Sequence, residues 1–168
     1  AHFPYRVWCP ACIRGKASDD RHKRISRSDR PDNLIQFDYC FLKAKSDTEE
    51  LTVLTAVHVK TGYILSVQVP TKGCHPYAER SILQWLRCSG LGACDIVFQC
   101  DKESSISALL RVVGRARGGV VKLQTCAKMS KGSNGTVERA HRSVQATVRT
   151  LRADLFSKYK LWPNSKGP

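Results

Sequence analysis

Three acidic residues stand where local preferences disfavour them. In "LIQFDYCFL", residues 34–42, Asp38 interrupts a run of apolar, branched and aromatic residues, and Asp101 directly follows a second such run, "CDIVFQC". Aspartate is depleted in strands, so each position asks for a physical reason. A carboxylate beside an apolar run needs a cation, hydrogen bonds or water. Glu138, in "SNGTVERAHRSVQ", lies just inside a helix start in a chain with 28 Lys and Arg against 14 Asp and Glu. Each acid has an ordinary explanation: an Arg can satisfy either Asp, and Glu138 with Arg142 makes a solvated i,i+4 pair worth ~0.3 kcal/mol. Taken together, three carboxylates on two strands and a helix are a donor set for hard divalent cations. Two such ions ~4 Å apart activate a water or hydroxyl and stabilise the leaving oxygen in phosphodiester chemistry.

The elements that must carry these acids are readable from periodicity. Residues 34–42, 51–59 and 63–69 are rich in branched and aromatic side chains, and "KTG" between the last two is a hairpin signal, so three strands open the core, with antiparallel pairing. After Pro70 and Gly73, "YAERSILQWLRCSG" puts Ala78, Ile82, Trp85 and Leu86 on one helical face and closes at Gly90. "CDIVFQC" reads as a short buried strand. "SSISALLRVVGRARGG" repeats the helical spacing at Ile106, Leu109, Leu110 and Val113, and "VVKLQT" reads as another strand. In the last helix Val137, Ala140, Val144, Val148, Leu151 and Leu155 step by three and four. Glu138, Arg142, Gln145, Arg149 and Arg152 form a polar stripe on another side. Ser133 and Asn134 are its N-cap candidates. Three strands followed by alternating helices and strands define an α/β layer fold with a mixed sheet.

A net charge of +14 spread along 168 residues favours a polyanionic partner, nucleic acid first. No run of eighteen apolar residues and no signal-peptide pattern occurs, so neither a membrane span nor secretion is expected, and the chain reads as intracellular. The eight cysteines are scattered through a chain with adequate apolar content, which predicts free, mostly buried thiols rather than a disulfide scaffold. Cys40 and Cys100 read as packing residues. His141, on the basic helix, reads as solvated or facing a polyanion. The absence of an initiator Met and the ending "WPNSKGP" predict an internal piece of something longer.

The segments "FDYC", "QCDKES" and "SNGTVERAHRSVQ" together resemble the catalytic core of retroviral and LTR-retrotransposon integrases, over roughly residues 34–155. That family has an RNase H-like fold and an Asp, Asp, Glu triad whose last two members are usually thirty-five residues apart. Here 36 residues separate Asp101 from Glu138. The resemblance implies that Asp38, Asp101 and Glu138 are catalytic ligands of Mg²⁺ or Mn²⁺. It implies that Arg142 and Gln145 occupy positions where family members touch the DNA end, and Arg139 and Arg149 join them on the same basic helix. The implied activity is DNA 3′-end processing and strand transfer, with element ends and target DNA as partners, a homo-oligomer as the full-length form, and a nuclear location when the DNA is chromosomal. After Asp101 the family often has a small uncharged turn, whereas Lys102 and Glu103 follow here.

The family also carries an N-terminal zinc domain with two His and two Cys, and "WCPACIRGK" looks like its cysteine half. Cys9 and Cys12 would be zinc ligands in the parent chain. His2 is too near to serve as one of the family's widely spaced histidines, so zinc is not expected in this chain, and residues 1–33 are expected to pack poorly. The organisation expected is a zinc-domain remnant at 1–16, a basic linker at 17–33, the catalytic core at 34–156 and a short tail at 157–168. Two other readings stay open. One is a decayed or domesticated core that only binds nucleic acid. The other, a nuclease of the RNase H type, shares the metal chemistry, but the "NGTVER" helix favours the integrase reading.

Overall fold

The computed structural model describes residues 6–16, 31–43, 50–126 (main chain only at 126) and 134–159. The elements run α1 (Pro10–Lys16), β1 (Leu34–Leu42), β2 (Leu51–His58), β3 (Ile64–Gln68), α2 (Pro76–Cys88), β4 (Ile96–Asp101), α3 (Ser104–Ala116), β5 (Val121–Cys126) and α4 (Gly135–Tyr159). One sheet in the order β3-β2-β1-β4-β5 joins all five strands. β1, β2 and β3 pair antiparallel, while β4 and β5 run parallel to β1. The expected fold class holds, including the mixed sheet.

Local chemistry explains the corners. Between β2 and β3 the chain turns at Gly62, whose φ of 74° suits a residue without a Cβ, and His58 N donates to the Tyr63 carbonyl. α2 opens with His75 as N-cap, its ring accepting from Tyr77 N, and with Pro76 in the first turn. It closes where Gly90 takes a φ of 74° and Leu91 N bonds back to the Leu86 carbonyl at 2.8 Å.

The two faces of the sheet have different partners. Ile35, Phe37 and Tyr39 of β1, Leu54 and Ala56 of β2 and Phe98 and Cys100 of β4 point to one side. There they pack with Ile82, Trp85 and Leu86 of α2 and Ile106, Leu109, Leu110 and Val113 of α3. Burying such side chains stabilises by about 1.5–3 kcal/mol each. The alternate residues of β1, Gln36 and Asp38, face the other side, where Val57 meets Val137 and Ala140 of α4. Period-2 alternation along β1 therefore separates the packed core from the face that carries the acids.

α1 corrects the expectation that residues 1–33 pack poorly. Its residues 10–16 lie on the middle of α4: Cys12 and Ala11 are buried, Thr150 Oγ1 donates to the Ala11 carbonyl, and Arg149 donates to the Gly15 carbonyl. Contact is so close at Gly15 that an added Cβ would overlap the Thr150 hydroxyl and the Ala146 carbonyl. The short apolar stretch of α1 could not be paired by sequence because its partner lies over 130 residues away. Residues 17–30 of the expected linker, the N-cap candidate Ser133 and residues 160–168 of the tail lie outside the described residues, as does His2. α4 continues to Tyr159, past the expected core boundary at 156.

The thiols also differ from expectation. Of the seven cysteines whose side chains are described, only Cys12, Cys40 and Cys100 are buried, and Cys74, Cys88 and Cys94 are exposed. Cys74 and Cys94 lie in loops, and Cys88 ends α2 on its outer side, where no layer covers them. Cys40 and Cys100 are buried, as packing residues are, and burial pushes the Cys40 thiol up from its ordinary value. Among the described residues, no helix is long and apolar enough to cross a membrane.

Candidate active site

β1 and β4 are parallel neighbours with Gln36 opposite Gln99 and Phe37 opposite Cys100. Gln36 Nε2 donates to Gln99 Oε1 at 2.8 Å, so these two side chains share a face. Two residues further along each strand, on that same face, come Asp38 and Asp101. β4 ends at Asp101, at the carboxyl edge of the parallel strands, where open α/β sheets place their binding crevices. Glu138 is in the first turn of α4, the helix that covers this face.

Electrostatics registers the approach of the three acids. The Asp38 carboxyl is pushed up to about 6, first by burial and then by the charges of Asp101, Glu103 and Glu138, against a bond from Tyr39 N that favours its charged form. That bond is 2.8 Å long. Among the described residues no three His, Cys, Asp or Glu side chains are gathered tightly enough to hold an ion.

Around the acids lies a set of neutral groups. Asn134 was an N-cap candidate, and its carbonyl does accept the first helical bond from Glu138 N. Its side chain turns elsewhere: Nδ2 donates to Asp101 Oδ1 at 3.1 Å and reaches the Phe37 carbonyl at 3.5 Å. Two acceptors fix the amide orientation, and Asn134 Oδ1 is then buried with no hydrogen-bond partner among the described residues. Gln36 takes over the capping: its Oε1 accepts from Thr136 N and Val137 N at 3.1 and 3.2 Å.

His141 is a correction. Expected at the surface, it is only 9% exposed, one turn beyond Val137 on the side of α4 that meets the sheet. Its Nδ1 lies 3.8 Å from Asp38 Oδ2. Burial is the largest influence on the ring and pulls its pKa below the ordinary value, overcoming the hydrogen bond to the Asp38 main-chain carbonyl and the charge of Glu138. At neutral pH the ring is uncharged and does not neutralise Asp38. Nε2 is buried without a partner among the described residues.

At the end of β1, Lys72 Nζ pairs with Glu103 at 2.9 Å and lies over the Tyr39 and Phe41 rings at 5.4 and 5.1 Å. Burial pushes Glu103 up, but bonds from Ser105 and Lys72 outweigh it, leaving the carboxyl below its ordinary value. Lys102, next to Asp101, is exposed.

The basic helix is divided. Arg139 is exposed, Arg142 and Gln145 are half-buried, and Arg149 is exposed but donates to the Gly15 carbonyl of α1. Of the expected apolar stripe, Val137 and Ala140 reach the core, Val144 and Val148 are half-buried, and Leu151 and Leu155 are exposed. Cys9 is half-buried at the start of α1 and Cys12 is buried. Gln36, His141 and the Lys72–Glu103 pair were not singled out as site residues in the sequence. Only Gln36 carried a signal there, as an amide two residues before Asp38 on the same strand face.

The chain matches no protein-family model and no curated protein. Solved structures do resemble it. A chain from the intasome of simian T-cell lymphotropic virus, in complex with the PP2A regulatory subunit B56 gamma, is 18% identical over 92% of this chain, with a TM-score of 0.59. This chain spans about half of that one, 52%. The HTLV-2 integrase catalytic core domain in complex with magnesium is 14% identical in its trimeric form, covering 79% of this chain and 77% of its own, with a TM-score of 0.52. Its dimeric form is 13% identical with the same coverage and a TM-score of 0.51. The resemblance met in the sequence thus holds for the fold: the chain has the RNase H-like architecture of retroviral integrase catalytic cores.

Proposed function

We propose that the chain is the catalytic core of a retroelement integrase, a polynucleotidyl transferase that processes DNA 3′ ends and joins them to target DNA. The observation that carries the reading is that Asp38 and Asp101 each follow directly on the last paired residues of adjacent parallel strands, Phe37 and Cys100, on the sheet face covered by α4, with Glu138 in that helix's first turn. Asp38, Asp101 and Glu138 are the residues that would hold Mg²⁺ or Mn²⁺. The site's chemistry suits such an ion: its donors are carboxylate oxygens, one of them with a raised proton affinity, and the neighbouring Asn134 Oδ1 is an acceptor with no donor among the described residues. When bound, the ion supplies positive charge that activates the attacking oxygen and offsets charge on the leaving one.

The chain's own residues prepare that site. Asn134 holds one oxygen of Asp101 and leaves the other available. Neutral His141 packs beside Asp38 from the helix side, its Nδ1 3.8 Å from Asp38 Oδ2. Asp38 gives up its proton more readily as pH rises through about 6, so the site's capacity for a cation grows over that range. Arg139, Arg142, Gln145 and Arg149 would contact DNA, with a net charge of +14 supplying the long-range attraction. On this reading the protein acts within the cell, in the nucleus when its target is chromosomal, and as a homo-oligomer in its full-length form.

The test uses labelled duplex ends and a target duplex incubated with the protein in Mg²⁺, Mn²⁺ or EDTA. Metal-dependent end cleavage and strand transfer that vanish in Glu138→Gln are expected. Salt-sensitive DNA binding with neither reaction would instead identify a core that has kept only its nucleic-acid face.

A further inference from the structure

The first turn of a helix has backbone N–H groups with no partner inside the helix, and a side chain at the N-cap ordinarily supplies one. α4 departs from this, because the Asn134 side chain is committed to Asp101 and the Phe37 carbonyl. The replacement comes from 100 residues away. Gln36, 2% exposed in the middle of the sheet, accepts from Thr136 N and Val137 N with Oε1 and donates to Gln99 with Nε2. A buried amide left unbonded costs about 1–3 kcal/mol, so this position tolerates Gln because three elements, β1, β4 and α4, meet on it.

The spacing gives the clamp a consequence for the acids. Gln36 lies two residues before Asp38, and the amides it holds lie two and one residues before Glu138. A single side chain thus ties the strand of one acid to the helical turn of another. The cross-strand bond to Gln99 ties in the strand of the third, since Gln99 lies two residues before Asp101. β1 is held by backbone ladders between β2 and β4, whereas α4 lies outside the sheet, and its N-terminus is where Gln36 grips.

We infer that Gln36 is a positioning residue that sets the first turn of α4, and with it Glu138, at the distance from Asp38 and Asp101 that divalent-metal binding requires. This rests on the reading of the three acids as metal ligands. Gln36 itself touches neither metal nor substrate.

The experiment measures Mn²⁺ affinity by loss of the free-ion electron paramagnetic resonance signal in the wild type, Gln36→Met, Gln99→Met and Glu138→Gln, each checked by thermal unfolding in EDTA. Gln36→Met and Gln99→Met both break the Gln36–Gln99 bond, but only the first strips the two α4 amides of their acceptor. Mn²⁺ affinity is expected to fall about tenfold or more in Gln36→Met, the loss seen when supporting partners of metal ligands are removed, and less than about threefold in Gln99→Met. Equal losses in the two Met variants, or wild-type affinity in folded Gln36→Met while Glu138→Gln loses its ion, would overturn the clamp and leave the ligand reading standing. Wild-type affinity in Glu138→Gln would overturn the ligand reading and the clamp with it. Hydrogen exchange of the unmodified protein keeps the idea testable if Gln36→Met does not fold. Protected Thr136 and Val137 amides are expected, and exchange at the rate of an open helix end would refute it.

Discussion

Replacing Asp38 with Asn removes a charge from a site that opposes it while keeping an oxygen to accept from Tyr39 N. The Asp38 carboxyl titrates near 6 in the folded protein, against 3.8 for an unperturbed one. Because the folded pKa is raised, the native state holds the proton more tightly than the unfolded chain. Stability is therefore lost as pH climbs from about 4 to about 6, and the loss is complete above that window. The shift corresponds to about 3 kcal/mol at most. The side chain is 27% exposed, so solvent screening reduces this to roughly 1–2 kcal/mol. For a chain of this length that is an increase in Tm of roughly 3–6 °C for Asp38→Asn above pH 7. The measurement is thermal unfolding of both proteins by circular dichroism in EDTA from pH 4 to 8. The gain should shrink to nearly nothing at the acid end. A mutant no more stable than wild type at pH 7.5, or a gain independent of pH, would refute the account of Asp38 as a carboxylate held charged against its surroundings.

Other outcomes follow from the same geometry. Glu138→Gln should abolish metal-dependent cleavage and strand transfer while DNA affinity, read by fluorescence anisotropy, stays level or tightens slightly; unchanged strand transfer would remove Glu138 from the ligand set. Arg139→Ala, at an exposed position on α4, should weaken DNA binding and lower the salt slope of log affinity by about one, measured between 50 and 200 mM salt. Gly15→Ala should drive α1 off α4, costing about 1–3 kcal/mol and opening residues 6–16 to limited proteolysis, whereas an unaltered melting curve would contradict the close contact with Thr150. Because burial lowers the His141 pKa below the ordinary 6.5, the unfolded chain takes up the proton first and stability falls as pH drops through about 6.5; His141→Leu should remove that acid-side loss, read by thermal unfolding from pH 5 to 8, and an unchanged pH profile would refute the account of the buried neutral ring.

Much of the fold was legible because it rests on local periodicity. The strand at 34–42 alternates two faces, and the helices at 76–88 and 104–116 repeat apolar residues at three and four, so each element could be read without knowing its neighbour. The three acids were legible for a related reason. An Asp inside or just after a buried strand breaks a rule that only tertiary placement can repair, and two such breaks with a third acid at a helix start suggest a shared cause.

What the chain alone determined, then, was which residues lie on which face of each element, because that depends on backbone period and side-chain polarity. Tertiary structure decided which faces meet. The parallel register of β1 and β4, which ends with Phe37 opposite Cys100, set Asp38 and Asp101 as the next residues on adjacent strands, a juxtaposition across more than sixty residues that no local pattern encodes. Docking of α4 turned His141 from an expected surface residue into a buried neighbour of Asp38, and seating of α1 gave the exposed Arg149 the Gly15 carbonyl as an acceptor. In the same way Gln36 became the cap of a helix that begins 99 residues later, because a buried amide bonds to whatever polar group packing brings within hydrogen-bonding distance of it.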